Sequence, residues 1–234
     1  MSQRSARIGS GLHVAIIAGG NLRAGSRVRV VLESADLVIA ADRGLERCLE
    51  LGVDPDLVVG DFDSVTDTAL ETARARGFPI ETHPVEKDAT DGEIALREAL
   101  DRGANEVTLL GALDGEDRLD HGFANLLLLG LPETVGTQVR LLDEYRQASL
   151  LRAGDLVELH GNRGDIVSLM PLTEPAAGIT TWGLKYDLLG IPLHMGSTRG
   201  ISNELVWPHA QIQLAQGQLL VLMERQAGRE SPDE

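Results

Sequence analysis

The stretch VVGDFDSV, residues 58–65, decides how the chain is read. An apolar run ends at Gly60, and Asp61 and Asp63 follow with only Phe62 between them. The run has apolar residues at consecutive positions, the pattern of a strand covered on both faces of a parallel sheet. In open α/β sheets, ligands bind beyond the carboxyl ends of the strands. The two aspartates therefore stand where a site is expected.

Three further runs have the same character: HVAIIAGG (13–20), ADLVIAAD (35–42) and EVTLLGA (106–112). Helical patterns lie between them. In TDGEIALREALDRG (90–103), Thr90 is placed to cap, Glu93 to complete a capping box and Gly103 to end the helix left-handed. LDHGFANLLLLG (119–130) gives a second helix. The alternation predicts a doubly wound, mostly parallel α/β domain over residues 12–143. From about residue 145 the texture changes to short β-type runs separated by Gly, Asn and Asp turns. Residues 146–225 are expected to form an antiparallel β-sandwich.

Acidic residues outnumber basic ones 36 to 21, for a formal net charge of −15. That balance argues against nucleic acid and anionic membranes as partners, since both require clustered Lys and Arg. Cys48 is the single cysteine and falls in the amphipathic pattern LERCLELG, so no intrachain disulfide can form and the thiol is expected in the core. No window reaches ~18 apolar residues, the length a membrane helix needs. A cytoplasmic protein is the expectation.

The carboxylates carry the chemistry. Asp42 closes the second strand, Asp61 and Asp63 close the third, Asp88 and Asp91 flank a helix start, and Asp120 opens the helix after the fourth strand. Single aspartates at such places are ordinary turn formers and caps. A set at the same relative place in successive units converges on one edge, where two carboxylates ~5 Å apart repel by roughly 3 kcal/mol at an effective dielectric of ~20. One remedy is a raised pKa; the other is a hard divalent cation, and Mg²⁺ favours a few carboxylates plus phosphate oxygens. No GxxxxGK[ST] occurs, AGGNLRAG is only a glycine-rich turn, and Val65 and Thr66 spoil residues 61–67 as a calcium loop. DFDSV also looks like the opening motif of haloacid-dehalogenase-type phosphatases, with Asp61 as nucleophile and Lys87 as the downstream lysine.

A longer resemblance bears on the choice. ADRGLERCLELGVDPDLVVGDFDSV resembles the signature of thiamine pyrophosphokinases, A-D-x-G-A-N followed by P-D-x-x-x-G-D-F-D-S. KDATDGEIAL, GALDGEDRLDHGFANLLLL, GDIVSLMPL and TWGLKYDL…GSTRGISNE match further family blocks in order, over roughly residues 40–205. The resemblance implies an α/β domain plus a β-sandwich in a homodimer with shared active sites. It implies pyrophosphate transfer from ATP to the hydroxyl of thiamine, with Mg²⁺, releasing AMP. By matching motifs, Asp61, Asp63 and Asp91 would hold Mg²⁺. Asp42 would lie at the same phosphates and help to accept the hydroxyl proton, and Arg118 would face phosphate charge. Arg43 and Gly44 would line the substrate. Lys87, Asp120, Tyr186, Ser202 and Asn203 would surround thiamine, whose thiazolium suits an acidic pocket with a stacking ring.

Two departures stand out. DRGLE replaces D-G-G-A-N, bringing Arg43 and Glu46 into the loop, and LDGEDRLDH is longer than the usual G-G-R-x-D-H. A sensor that binds without turnover, and the same transfer to another alcohol such as a pterin, stay open on sequence alone.

Overall fold

Alternate residues of the first strand face opposite ways, and both sets are buried. The computed structural model describes residues 11–84, 88–113 and 118–226. Strand β1 (Leu12–Ile17) turns Ala15 and Ile17 into one apolar cluster, while Val14 and Ile16, equally buried, face the other side. A strand can be apolar throughout only if helices cover both faces.

They do so in order. Helices α1 (Ser26–Ser34), α2 (Gly44–Leu51) and α3 (Asp67–Arg76) connect β1 to β2 (Leu37–Ala41), β3 (Leu57–Gly60) and β4 (Ile80–Thr82). Their apolar stripes, which include Val28, Val31, Leu45, Cys48 and Ala73, join the cluster of Ala15 and Ile17 on one face. Cys48 thus fills the core position its helix pattern indicates. Helix α4 (Asp91–Asp101) then packs against β1, β2, β3 and β5, with Ala95, Leu96 and Ala99 fully buried. Its small residues let the helix lie close to the sheet as it returns to β5 (Ala104–Leu110), beside β1. Helix α5 (Leu119–Leu128) leads to β6 (Gln138–Leu142). The strand order of this unit is β6-β5-β1-β2-β3-β4, all parallel, so the winding direction reverses between β1 and β5. The doubly wound expectation holds; β4 and β6 are strands that the apolar runs did not reveal.

The α4 termini follow the sequence in part. Thr90 accepts the Glu93 N–H at 3.2 Å, and Gly103 is left-handed (φ 81°). The Glu93 carboxylate instead pairs with Arg97 one turn on, at 3.0 Å.

Contacts divide the chain between Glu144 and Tyr145. The second unit holds two antiparallel sheets. One orders as β12 (Asn203–Glu204), β9 (Ile166–Pro171), β14 (Gln218–Glu224) and β7 (Arg146–Arg152); the other as β11 (Leu189–Leu193), β10 (Ala176–Trp182), β13 (His209–Gln213) and β8 (Leu156–His160). Leu151, Val167, Val221 and Met223 from the first sheet share one core with Leu159, Ile179, Ala210 and Ile212 from the second, which makes the unit a β-sandwich.

Gly44, at the start of α2, has a packing reason to be glycine. A Cβ there would lie 1.8 Å from the carbonyl oxygen of Ile17, so the helix start sits directly on the end of β1. Gly44→Ala must push α2 off the sheet, and we expect a loss of about 3 kcal/mol, the upper part of the overpacking range. The thermal midpoint should fall by roughly 6–12 °C; an unchanged midpoint would contradict the close approach.

Candidate active site

Asp42, Asp61 and Asp91 meet at the carboxyl edge of the parallel sheet. Asp42 extends the β2–β3 ladder by donating its N–H to the Val59 carbonyl at 2.8 Å, then turns left-handed (φ 48°) into α2. Gly60 keeps the neighbouring chain close: a Cβ there would come 3.1 Å from the Asp42 Cα. Asp61 follows at once. Phe62, also left-handed (φ 62°), packs into the core under α2 and α3 and leaves the two flanking aspartates at the rim. Asp91 is brought in by α4, whose first residue it is.

One carboxylate oxygen from each of these three residues lies within 4.8 Å of the other two. Asp63 is not in the group. It is exposed, and its N–H donates to Asp61 Oδ1 at 3.2 Å. Asp42, expected near the phosphates as a proton acceptor, is the member that completes the trio.

Burial pushes the Asp42 carboxyl above the usual carboxylate range. Hydrogen bonds from the Ser64 hydroxyl and the Arg43 backbone pull it down, while the charges of Asp91 and Asp61 push it up further. The Ser64 hydroxyl donates to Oδ2, whereas Oδ1 is buried with no hydrogen-bond partner. A buried acceptor left unpaired is costly. A hard cation fits this place: it supplies the partner that Oδ1 lacks, the donors are all oxygen, and it removes the mutual repulsion.

Glu46 holds the loop that carries Asp61 and Ser64. Its Oε1 accepts the Thr66 N–H at 3.0 Å, the main reason its carboxyl sits below the ordinary range, and its Oε2 lies 3.6 Å from Arg43 Nε. Arg43 and Glu46, two of the positions at which DRGLE departs from D-G-G-A-N, are thus partners of each other. Neither Glu46 nor Ser64 stood out in the sequence as a site residue. Ser64 lay inside the quoted stretch, but nothing in its spacing linked it to Asp42.

The start of α1 is filled. There, Glu144 Oε2 accepts the Arg27 N–H at 3.1 Å and Oε1 the Ser26 hydroxyl at 3.3 Å. Gly25 makes the room, since a Cβ there would fall 1.9 Å from the Glu144 carboxyl carbon. A helix N-terminus that could attract phosphate already holds an anion of the chain itself.

Arg118 and Asp120 form an exposed two-pronged pair at 3.0 and 2.8 Å, and the Arg118 hydrogen bonds lower the Asp120 carboxyl to about 2. Lys87 lies outside the described residues. In the second unit, GLKY and SNE come together. Tyr186 N–H donates to Asn203 Oδ1 at 3.1 Å, and Asn203 Nδ2 donates back to the Tyr186 carbonyl at 2.9 Å. Asn203 is buried by this clamp while Tyr186 is 64% exposed. Lys185 Nζ lies 5.6 Å from the Tyr186 ring centre and 2.9 Å from Glu204. Ser202 is left-handed (φ 58°) and donates its N–H to Ser168 Oγ at 3.1 Å.

Two family profiles match along the chain. The thiamin pyrophosphokinase catalytic domain matches residues 28–141, and the thiamin pyrophosphokinase vitamin B1 binding domain matches residues 156–219. The chain belongs to the thiamine pyrophosphokinase family. The catalytic-domain match contains Asp42, Asp61 and Asp91, and the B1-binding match contains Tyr186, Ser202 and Asn203. Thiamine pyrophosphokinase from Bacillus subtilis is 28% identical over 208 residues, 88% of this chain and 96% of that protein. A crystal structure of thiamine pyrophosphokinase from B. subtilis superposes with a TM-score of 0.79 at 25% identity, covering 91% of this chain and 99% of the other. A thiamin pyrophosphokinase family protein from Enterococcus faecalis gives 0.78 at 27%, covering 92% and 99%. Membership across both halves decides against the phosphatase reading of DFDSV.

Two outcomes follow from the carboxylate geometry. Asp42→Asn keeps an oxygen for Ser64 and the left-handed turn but removes a charge that burial disfavours. In metal-free buffer it should raise the thermal midpoint by about 2–4 °C, near 1 kcal/mol for a chain of this length; a lowered midpoint would show that the charge is not strained. Glu46→Ala strips Thr66 N–H of its acceptor, so amide exchange over residues 61–66 should speed up about tenfold, one RT-scaled step of 1.4 kcal/mol. Glu46→Gln keeps an acceptor and should restore protection; equal exchange in both variants would remove the latch from the account.

Proposed function

We infer that the chain transfers the terminal pyrophosphoryl group of ATP to the hydroxyl oxygen of thiamine, yielding thiamine diphosphate and AMP. The observation that carries this reading is the Asp42–Asp61–Asp91 group, with its unpartnered buried oxygen, inside the segment matched by the family's catalytic domain. Asp61, Asp91 and Oδ1 of Asp42 would hold Mg²⁺, which when bound neutralises phosphate charge and orients the triphosphate. Asp63 strengthens the negative rim and fixes Asp61 through its N–H. Transfer of this kind needs charge neutralisation and an in-line hydroxyl more than a covalent nucleophile.

The remaining site residues take roles suited to their surroundings. Arg43 and Arg118 meet phosphate charge. Arg118 rests on Asp120 in an exposed pair worth ~0–1 kcal/mol, which a polyphosphate displaces readily, and the exposed Arg43 guanidinium keeps Glu46 at 3.6 Å as a partner it can exchange. Tyr186, held outward by Asn203, offers a ring to the thiazolium, and Lys87, Asp120 and Ser202 join it around thiamine. Gly44 serves by seating α2, and with it Asp42 and Arg43, on β1. We assign a homodimer with shared sites. Leu119, Phe123 and Leu127, spaced four apart along one stripe of α5, are all exposed, and an apolar stripe of that kind calls for a covering partner. No described helix is long and apolar enough to cross a membrane, and we place the enzyme in the cytoplasm with its lone thiol reduced.

Incubation with ATP, Mg²⁺ and thiamine should give AMP and thiamine diphosphate in equal amounts; ADP as co-product would exclude pyrophosphoryl transfer. Asp61→Asn and Asp91→Asn should lower turnover about a thousandfold or more, some 4 kcal/mol of charge stabilisation, with thermal unfolding still cooperative. Full turnover in either variant would refute the metal assignment.

A further inference from the structure

We propose that His160 and His209, on the outer face of the four-stranded sheet, form a chelating site for a divalent transition-metal ion such as Zn²⁺ or Ni²⁺. The two residues are directly opposed in the antiparallel register of β8 and β13. The next pair, Gly161 and Pro208, shares a ladder hydrogen bond of 2.9 Å. Hydrogen-bonded and non-hydrogen-bonded pairs alternate, so His160 and His209 occupy a non-hydrogen-bonded pair, whose Cα atoms approach to about 4.5 Å and whose side chains stand closest. Their neighbours Leu159 and Ala210 are buried beneath the sheet, which places both imidazoles on the solvent side.

Glu158 and Trp182 flank the pair. Glu158, two residues back on the same face of β8, takes a hydrogen bond from Gln211 Nε2 through Oε1 at 2.9 Å, which leaves Oε2 4.0 Å from His160 Nε2. The His209 ring leans on Trp182, with centroids 4.9 Å apart and planes tilted by 43°. Two imidazoles and one carboxylate oxygen, open to water, suit a borderline ion at nitrogen distances of about 2.0–2.1 Å. They do not suit Mg²⁺, which prefers oxygen. Exposed imidazoles reorient within nanoseconds, so rotamer changes can turn both rings onto one ion. This site lies in a different unit from the aspartate trio and differs from it in ligand chemistry.

Trp182 makes the site observable. In the full-length Trp207→Phe protein, Trp182 is the single remaining tryptophan. Titration with Ni²⁺ should quench its fluorescence saturably, with one ion per chain. His160→Ala and His209→Ala should each weaken the apparent affinity about tenfold or more, and Glu158→Gln by a smaller factor. Millimolar Mg²⁺ should leave the isotherm unchanged. Calorimetric Zn²⁺ titration of the unsubstituted chain against His160→Ala covers the case in which Trp207→Phe does not fold. Quenching that does not saturate, or an isotherm unaltered by either histidine substitution, would overturn the assignment. Thiamine turnover plays no part in the readout, so the outcome is independent of the proposed reaction.

Discussion

Repulsion among three carboxylates at one edge of a sheet is the constraint around which the first unit is arranged. The aspartates come from β2, β3 and α4, and the backbone of each element sets where its aspartate stands. Asp42 is set by a ladder bond and a left-handed turn, Asp61 by the half-buried Phe62 beside it, and Asp91 by its place in the first turn of a capped helix. Moving the three backbones apart would disturb elements of the packed core. A site built this way keeps its geometry before any ligand arrives, and preorganisation of that kind is what electrostatic stabilisation of a charged transition state requires. The cost appears as a raised Asp42 pKa and one unpaired buried oxygen.

The position of α4 makes the convergence possible. In a sheet wound in one direction only, the helix after β4 would carry its N-terminus away from β2. Here α4 returns across the opposite face to reach β5, and the crossing sets Asp91 over the ends of β2 and β3. Ala95 and Ala99 allow the close crossing, and Thr90 fixes where the helix begins. The α1 N-terminus, by contrast, is closed by Glu144. One helix start carries an aspartate of the trio, while the other is satisfied by a carboxylate of the chain itself.

The parallel strands and the capped α4 were legible because their signals are local: consecutive apolar residues for a covered strand, and Thr, Glu and Gly at fixed offsets for a helix. β4 was illegible because three residues at a sheet edge, only partly buried, carry little pattern. The convergence followed from the place of Asp42 and Asp61 at strand ends and of Asp91 at a helix start. Sequence could not tell which of Asp61 and Asp63 points into the group, because that depends on the left-handed turn at Phe62, a conformation uncommon for an aromatic residue. Glu46 and Asn203 were hidden or underspecified for a related reason. Their partners, the Thr66 N–H and the Tyr186 backbone, are main-chain groups that every sequence possesses.

Arg43 and Glu46 show how a departure from a family signature can be read as one change rather than two. An arginine beside Asp42 brings a cation to a negative rim, where it could fall across the trio and compete with a metal. Glu46, three residues on and one helical turn away, offers it another partner. The same carboxylate accepts the Thr66 N–H, so the device that restrains Arg43 also anchors the far end of the loop bearing Asp61 and Ser64. An asparagine at position 46 could accept one such bond but would lack the charge to hold an arginine. The two positions are therefore coupled through one ion pair.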